Sequence, residues 1–587
     1  MAQFFKFVFA SCLGTLIAVF ASFFLLIIMG AVLGAGEGGI EGDSVLLLDF
    51  SNPIPELSGN VATSGFSFES TPATGLHDIV RLLDHAANDG SIEGILIKAS
   101  ATSSLGMVTA STIRDAIQKF RDESDKFVYA YGDFYENTSY LMASAADSIF
   151  VNPMGIVDVN GYATMIPFFK GAMDKLGVDM NIFYAGKFKS ATEPYRRKNM
   201  SEQSRRQTKE YLNDNFNLYL DEVTQSRGIS KENLEKLINE LNIDNSEDAV
   251  NLGIIDGVKH WYQVEDMIRN QLGKKKGRTV SYVTHDEYAD SVTLKKGSGK
   301  NKVAVIFAEG EVAYANENRG NINEKTYHDI FDKIRKDKRV KAIVLRVNSP
   351  GGSAFTSEAI LRELSELQKD SIPIVASFGD YAASGGYYIA ANADKIVSHP
   401  QTLTGSIGVF SMLPNFKKGM EEKLGITFDT VKTHPHAIVA SPFLDMNESE
   451  KVALQNFTDN MYETFLDRVA NGRHKSVAEI DSVGQGRVWT GQRAIEKGLV
   501  DELGGLDRAI EIAADLADIS EYKLVEYPRI EKEFWEEILT EFNKGANAKF
   551  TPKLTPQEKK ILGTIEEYRT LMRYNEPLAR LPFEMTY

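Results

Sequence analysis

Phe378-Gly379-Asp380-Tyr381-Ala382-Ala383-Ser384-Gly385-Gly386-Tyr387, running on to Ala393-Asp394 and His399-Pro400, is the stretch on which the fold turns. In the first half of the chain Tyr131-Gly132-Asp133 leads in the same order to Ala146-Asp147 and Asn152-Pro153, every member 247 residues earlier. Lys175-Leu176-Gly177 and Pro194 return as Lys423-Leu424-Gly425 and Pro442 at a spacing of 248, and Gly253-Ile254-Ile255-Asp256 returns as Gly498-Leu499-Val500-Asp501 at 245. So constant an offset means a duplication, which settles the architecture ahead of any single motif.

Outward from these anchors, each half carries the same series. Val45 to Phe50 is an apolar strand, His77 to Ala87 a helix-like stretch and Gly94 to Ile97 another apolar run; Val303 to Phe307, Tyr327 to Lys336 and Ala342 to Val347 repeat them. Short apolar strands alternating with amphipathic helices predict βα crossovers and mainly parallel sheets. The expectation is an α/β protein of two tandem units, 45–295 and 300–528. The polar stretch Gly297 to Asn301, with Lys295, Lys296 and Lys300, forms the junction. In the tail, 529–587, Phe534, Ile538 and Phe542 recur at helical spacing and read as a surface helix or an inter-subunit contact.

Residues 1–44 read as a membrane anchor. No charged residue occurs from Phe7 to Gly36, a run longer than the roughly 20 residues needed to span a bilayer and much longer than the apolar core of a cleaved signal peptide. A single span over about 7–36 is expected. Lys6 precedes it and Glu37, Glu41 and Asp43 follow it, so the N-terminus is expected in the cytoplasm and the body on the other side.

Composition excludes several classes of function. The net charge of −16 argues against a nucleic-acid partner, because phosphate binding needs a cationic surface. One cysteine, Cys12, cannot support a disulfide framework or a cysteine metal site. The nine histidines are scattered without ligand spacing and there is no Walker-type glycine loop, so neither metal nor other cofactor is expected.

The chemistry is visible in what each copy kept. After the strand Ala342 to Val347 come Asn348-Ser349-Pro350-Gly351-Gly352-Ser353, whose glycine pair lets the backbone turn and present N–H groups as an oxyanion hole requires. The first half has Ser100 to Ser104 there. Ser384 stands at the start of a helical stretch, where the N–H of Gly385 can face a developing oxyanion, and its counterpart is Asn137. Conversely Lys189 in the first half aligns with Ala437 in the second. These losses are complementary: one unit retains a nucleophile and the other a base, and neither half should work alone. A free lysine, with a pKa of about 10.4, needs desolvation to act as a base. Ser406, in Thr404-Gly405-Ser406-Ile407-Gly408, is a candidate to orient it. Lys187 is a rival that spacing does not separate from Lys189, since in an extended segment both share a face. His434 and His436, beside Ala437, are the alternative bases. Phe410, Met412, Leu413 and Phe416 read as core rather than as a substrate groove.

With these segments the chain resembles the long, duplicated form of the bacterial signal peptide peptidase A family, Ser/Lys proteases of the ClpP/crotonase-like fold. The resemblance rests on Lys189-Ser190-Ala191-Thr192-Glu193-Pro194, Ser349-Pro350-Gly351-Gly352, Ala383-Ser384-Gly385-Gly386-Tyr387 and Leu403-Thr404-Gly405-Ser406-Ile407-Gly408. It implies Ser384 as nucleophile and, over Lys187, Lys189 as general base. It further implies a homotetrameric bowl at the bacterial inner membrane, a catalytic body on the periplasmic side, and hydrophobic peptides such as signal-peptide remnants as substrates. Two other readings remain at this point: an acyl-CoA enzyme on the same superfold, and a catalytically inert membrane scaffold.

Overall fold

In the computed structural model the described residues are 42–60, 73–99, 105–240, 245–275, 277–314, 320–529 and 578–580, with the single positions 14, 40 and 243. The expected span over 7–36, Cys12, the serine-rich stretch 100–104 and the helical spacing of Phe534, Ile538 and Phe542 lie outside them. Among the described residues no helix is long and apolar enough to cross a membrane.

The strands of the first half are β1 (Ser44–Asp49), β2 (Ile92–Ala99), β3 (Phe127–Glu136), β4 (Ser148–Asp158), β5 (Asp179–Tyr184), β6 (Gly257–Val258) and β7 (Ser281–Thr284). Those of the second are β8 (Asn301–Glu309), β9 (Val340–Ser349), β10 (Gly351–Ser353), β11 (Ile374–Ala383), β12 (Lys395–Ser398), β13 (Leu403–Gly405), β14 (Phe410–Asn415), β15 (Val488–Thr490), β16 (Glu502–Leu503) and β17 (Tyr522–Tyr527); β18 (Leu578–Arg580) follows. The first sheet runs β6-β4-β3-β2-β1-β7, every pair parallel. The second repeats it as β16-β12-β11-β9-β8-β17, again parallel throughout, with β13 parallel to β11 and β15 antiparallel to β13. The repeat is thus a repeat of topology.

Parallel strands covered on both faces need apolar side chains in both directions. In β8, Ala304, Ile306 and Ala308 face one core and Val303, Val305 and Phe307 the other. In β1, Leu46 and Leu48 face one side and Val45 the other. Helices such as Leu76–Asn88 and Glu324–Lys336 cover the first of these faces, and Trp261–Gln271 and Leu506–Leu516 the second.

Three of the contacts that lock the units together centre on β5, Arg346 and Asp380. β5 of the first unit pairs antiparallel with β14 of the second over six residues, from Tyr184↔Phe410 to Asp179↔Asn415. Arg346 on β9 donates to both carboxylate oxygens of Glu56 at 2.9 and 3.0 Å, and to Ser377 Oγ and Phe378 O at 3.0 and 2.7 Å. Asp380, at the bend of β11, accepts from the N–H groups of Val108 and Thr109 at 2.8 and 3.3 Å and from Thr109 Oγ1 at 2.6 Å. It thereby satisfies the unpaired first turn of the helix Met107–Glu123 across the interface.

Candidate active site

β11 ends at Ala383, and Ser384 turns the chain into the helix Gly385–Ala390. Asn137 begins the corresponding helix Asn137–Ala143 of the first unit. Ser384 takes φ 55° and ψ −115°, a left-handed conformation that a residue with a Cβ adopts only under constraint. Its N–H donates to Gly405 O at 2.8 Å and its carbonyl accepts from Tyr388 N at 2.8 Å, which holds the bend from both sides. Such a sharp strand-to-helix turn projects a hydroxyl away from the sheet.

The β5–β14 pair delivers the other groups. Past Tyr184 the chain turns at Gly186 (φ 106°), and Lys189 N donates back to Gly186 O at 3.3 Å. Lys187 consequently points to solvent, whereas Lys189 is 1% exposed. An extended segment would have placed both on one face; the turn separates them. Lys189 Nζ lies 2.7 Å from Ser384 Oγ and 3.0 Å from both the Oγ and the carbonyl oxygen of Ser406. Ser406 precedes β14 and is itself left-handed at φ 52°, held by its N–H to Arg487 O at 2.7 Å.

Burial holds the Lys189 amine well below the ordinary lysine range, because a charge far from water is disfavoured. Among the described residues no carboxylate forms an ion pair with it. His434 and His436 lie on an exposed loop, and His436 Nδ1 sits 3.0 Å from Glu450 Oε1. Of the glycines, Gly351 and Gly352 have φ of 102° and 152°. The N–H of Gly351 donates to Ser349 Oγ at 3.2 Å and its carbonyl accepts from Val312 N at 2.9 Å. Phe410 and Met412 are buried in a small cluster with Ala191, against which Met180, Ile182 and Tyr184 pack.

The sequence matches peptidase family S49 twice, over residues 120–275 and 366–520. The chain belongs to that family. It is 32% identical over 520 residues to "Protease 4" of Haemophilus influenzae, covering 85% of this chain and 84% of that one. To "Protease 4" of Salmonella typhi it is 33% identical over 531 residues, covering 87% and 84%. A "Putative signal peptide peptidase SppA" of Enterococcus faecium is 35% identical over 239 residues, 40% of this chain and 69% of that one. This S49 chain is a serine protease.

Two parts of the candidate site escaped the sequence reading. The loop Gly484-Gln485-Gly486-Arg487 backs Lys189: Phe188 N donates to Gln485 O at 2.8 Å and Gly486 N to Ile407 O at 2.7 Å. At Gly486 (φ 72°) a Cβ would stand 2.6 Å from Lys189 Cβ and 2.7 Å from its backbone nitrogen. The second is Gln207, on the helix Glu202–Arg227, whose amide donates to Phe188 O and Ser190 Oγ at 3.1 Å while its oxygen accepts from Val488 N at 3.2 Å. The closely spaced glycines were a signal for the loop; nothing local marked Gln207.

Proposed function

We propose that this chain is a membrane-anchored endopeptidase that degrades hydrophobic peptides such as cleaved signal peptides, through an acyl-enzyme formed on Ser384 with Lys189 as general base. The observation that carries this reading is the 2.7 Å approach of Lys189 Nζ to Ser384 Oγ with two Ser406 oxygens at 3.0 Å. A neutral amine has two N–H donors and one lone pair. With both donors spent on Ser406, the lone pair is left facing the Ser384 hydroxyl, which is the arrangement a base requires.

In the proposed reaction Ser384 Oγ attacks the scissile carbonyl as its proton passes to Lys189 Nζ. The tetrahedral oxyanion is received by the N–H groups of Gly352 and Gly385. Gly351, whose N–H is engaged with Ser349 Oγ, acts by shaping the turn. Collapse expels the amine, which takes the proton from Lys189 and leaves the acyl-serine. Water, deprotonated by the same lysine, then attacks, and Ser384 recovers its proton as the acid product leaves. Ser406 keeps the amine oriented throughout.

The printed name of the Enterococcus faecium relative supports hydrophobic peptides as substrates, since signal peptides carry an apolar core. The uncharged run 7–36 supports a single anchor with the body on the periplasmic side of a bacterial inner membrane. Within this reading the unit 45–295 supplies the lysine and the unit 300–528 the serine, in a homotetramer.

The test is labelling by a serine-reactive acylating probe across pH, comparing wild type with Ser384→Ala and Lys189→Ala. Expected are loss of the adduct in Ser384→Ala, a drop of about 10²- to 10⁴-fold in labelling rate in Lys189→Ala, and a wild-type midpoint well below that of free lysine. An unlabelled wild type, or equal labelling of all three proteins, returns the choice to non-covalent thioester chemistry or an inert scaffold.

A further inference from the structure

Lys189 carries its amine on a four-carbon stem that rises from irregular backbone, after the turn at Gly186 and just before the 3-10 helix Ser190–Thr192. An amine mounted in this way is no better placed than the peptide groups beneath it. On one side these are held by the second unit, through Phe188 N and Gln485 O. On the other the holder is Gln207 of the first unit, itself 1% exposed, whose Nε2 donates to Phe188 O and to Ser190 Oγ, on the two neighbours of Lys189, at 3.1 Å each. Its Oε1 accepts from Val488 N at 3.2 Å. The peptide group that presents this N–H also presents Arg487 O, which accepts from Ser406 N at 2.7 Å. One side-chain amide therefore spans from the backbone around Lys189 to the peptide that holds Ser406, whose Oγ and carbonyl oxygen receive the amine. Phe188 O can only accept and Val488 N–H can only donate, so the two ends of the amide are not interchangeable.

The helix Glu202–Arg227 is held against the second unit by other members of the same row. Glu210 pairs with Arg487, and Asp214 accepts from Thr490 Oγ1 at 3.0 Å and from Arg493 Nη2 at 2.8 Å; with Gln207 they follow the i, i+3, i+7 spacing of one helical face. The duplication sets Gln207 apart. Ser201 and Asn447 cap the helices Glu202–Arg227 and Glu448–Gly472 at a spacing of 246, which puts Ala453 opposite Gln207. The copy without the lysine also lacks the amide. We propose that Gln207 is a positioning residue of the peptidase site, setting the spacing between Lys189 and Ser406 on which the orientation of the amine depends. This rests on the reading of Ser384 and Lys189 as the catalytic pair. The amine's two N–H donors reach Ser406, and its lone pair faces Ser384, only while that spacing is kept, so loss of the amide is felt at the chemical step and not in peptide binding.

The experiment compares wild type with Gln207→Met, which keeps the length and removes the amide, and with Gln207→Glu, which as a carboxylate keeps an acceptor for Val488 N and cannot donate to Phe188 O. Hydrolysis of a fluorogenic apolar peptide, the rate of labelling by the acylating probe across pH, and amide hydrogen exchange at Phe188 and Ser406, whose N–H groups are bonded elsewhere than to Gln207, are measured on each. Expected in both variants is a kcat about 10- to 100-fold lower with KM within about twofold. The labelling midpoint moves up towards the ordinary lysine value as water reaches the amine, and exchange is on the order of tenfold faster at Phe188 and Ser406 but unchanged in β8 and β9. A kcat and midpoint equal to wild type overturn the inference. So does a lower kcat with an unmoved midpoint and exchange quickened throughout, the mark of general loosening. Should Gln207→Met fail to fold, Gln207→Glu carries the same measurements. Should wild type itself take no label, the catalytic reading fails on its own and exchange decides: quickening confined to Phe188 and Ser406 keeps Gln207 as the spacer, and unchanged exchange removes it.

Discussion

Ser384 and Ser406 both hold left-handed backbone angles, each at a cost of about 1–3 kcal/mol for a residue with a side chain, and both touch Lys189. The buried amine adds a further cost. Its pKa lies below the ordinary value because burial disfavours the charge, so the unfolded chain binds more protons than the folded one between the lowered pKa and about 10.5. Stability therefore rises with pH through that window and is diminished below it. Lys189→Met, which keeps the length and drops the charge, is expected to lose about 10²- to 10⁴-fold in kcat/KM while melting higher than wild type at pH 7. The gain shrinks towards pH 10, a trend that thermal unfolding across pH checks. Gly486→Ala places a methyl group against the Lys189 backbone. Displacement of the amine by a fraction of an ångström to 1 Å is expected to lower kcat by about 10- to 100-fold, with circular dichroism unchanged and KM nearly so. Ser384 and Lys189 could be read in the sequence as the residues each copy retained. Gly486 was marked only as one of two closely spaced glycines; what it is small beside, Lys189 of the other unit, was not readable.

At the scale of elements, the strands and helices of both units follow from local pattern. The sequence marked helices at His77 to Ala87 and Tyr327 to Lys336, and the structure extends them to Leu76–Asn88 and Glu324–Lys336. The contacts between units do not follow from local pattern. β5 and β14 carry no feature that distinguishes their pairing with each other from pairing within their own units, and the buried Arg346–Glu56 pair joins residues 290 apart. Beside that pair, Glu309 accepts from Glu56 N and Asn60 Nδ2, both at 2.8 Å. Burial, followed by the neighbouring Glu56 charge, pushes its carboxyl up to about 7. A carboxyl raised in the folded state favours folding below its unfolded pKa of about 4.5, and that contribution is lost as pH rises through 7. Glu309→Gln mimics the protonated acid, with the Asn60 amide turned to offer its oxygen. Its stability relative to wild type, read by thermal unfolding across pH, is expected to climb between pH 4.5 and 7 by on the order of 3 kcal/mol and to level off above. A difference that stays flat across this range would show that Glu309 is ionised in the fold at every pH tested.

Across the whole molecule, each unit has its own two-faced sheet and core, yet the pair of residues that meets at 2.7 Å is drawn from both within one chain. Mixed assemblies of Ser384→Ala and Lys189→Ala chains, co-expressed and purified through two tags, are therefore expected to stay at background peptidase activity. Recovery of more than a few per cent of wild-type rate would place the lysine and serine on different chains. Duplication and complementary loss were legible from the constant offset near 247 residues. The pairing of residues 578–580 with β10 and β14 was not, since three residues of backbone pairing leave no compositional trace.

The separation of the two halves of the site also has a meaning in time. Lys189 is made 195 residues before Ser384, which at about 5–20 residues per second is roughly 10 to 40 s. Throughout that interval the growing polypeptide carries the Lys189 amine open to water and protonated, so on the proposed reading it has neither a working base nor a serine to activate. Even after the serine emerges, β14, Ser406 and the loop 484–487 must still be synthesised and docked before the amine is sealed from water. An enzyme assembled in this order needs no removable propeptide to keep it inert while it is being made, because its first half is harmless until the second has folded against it.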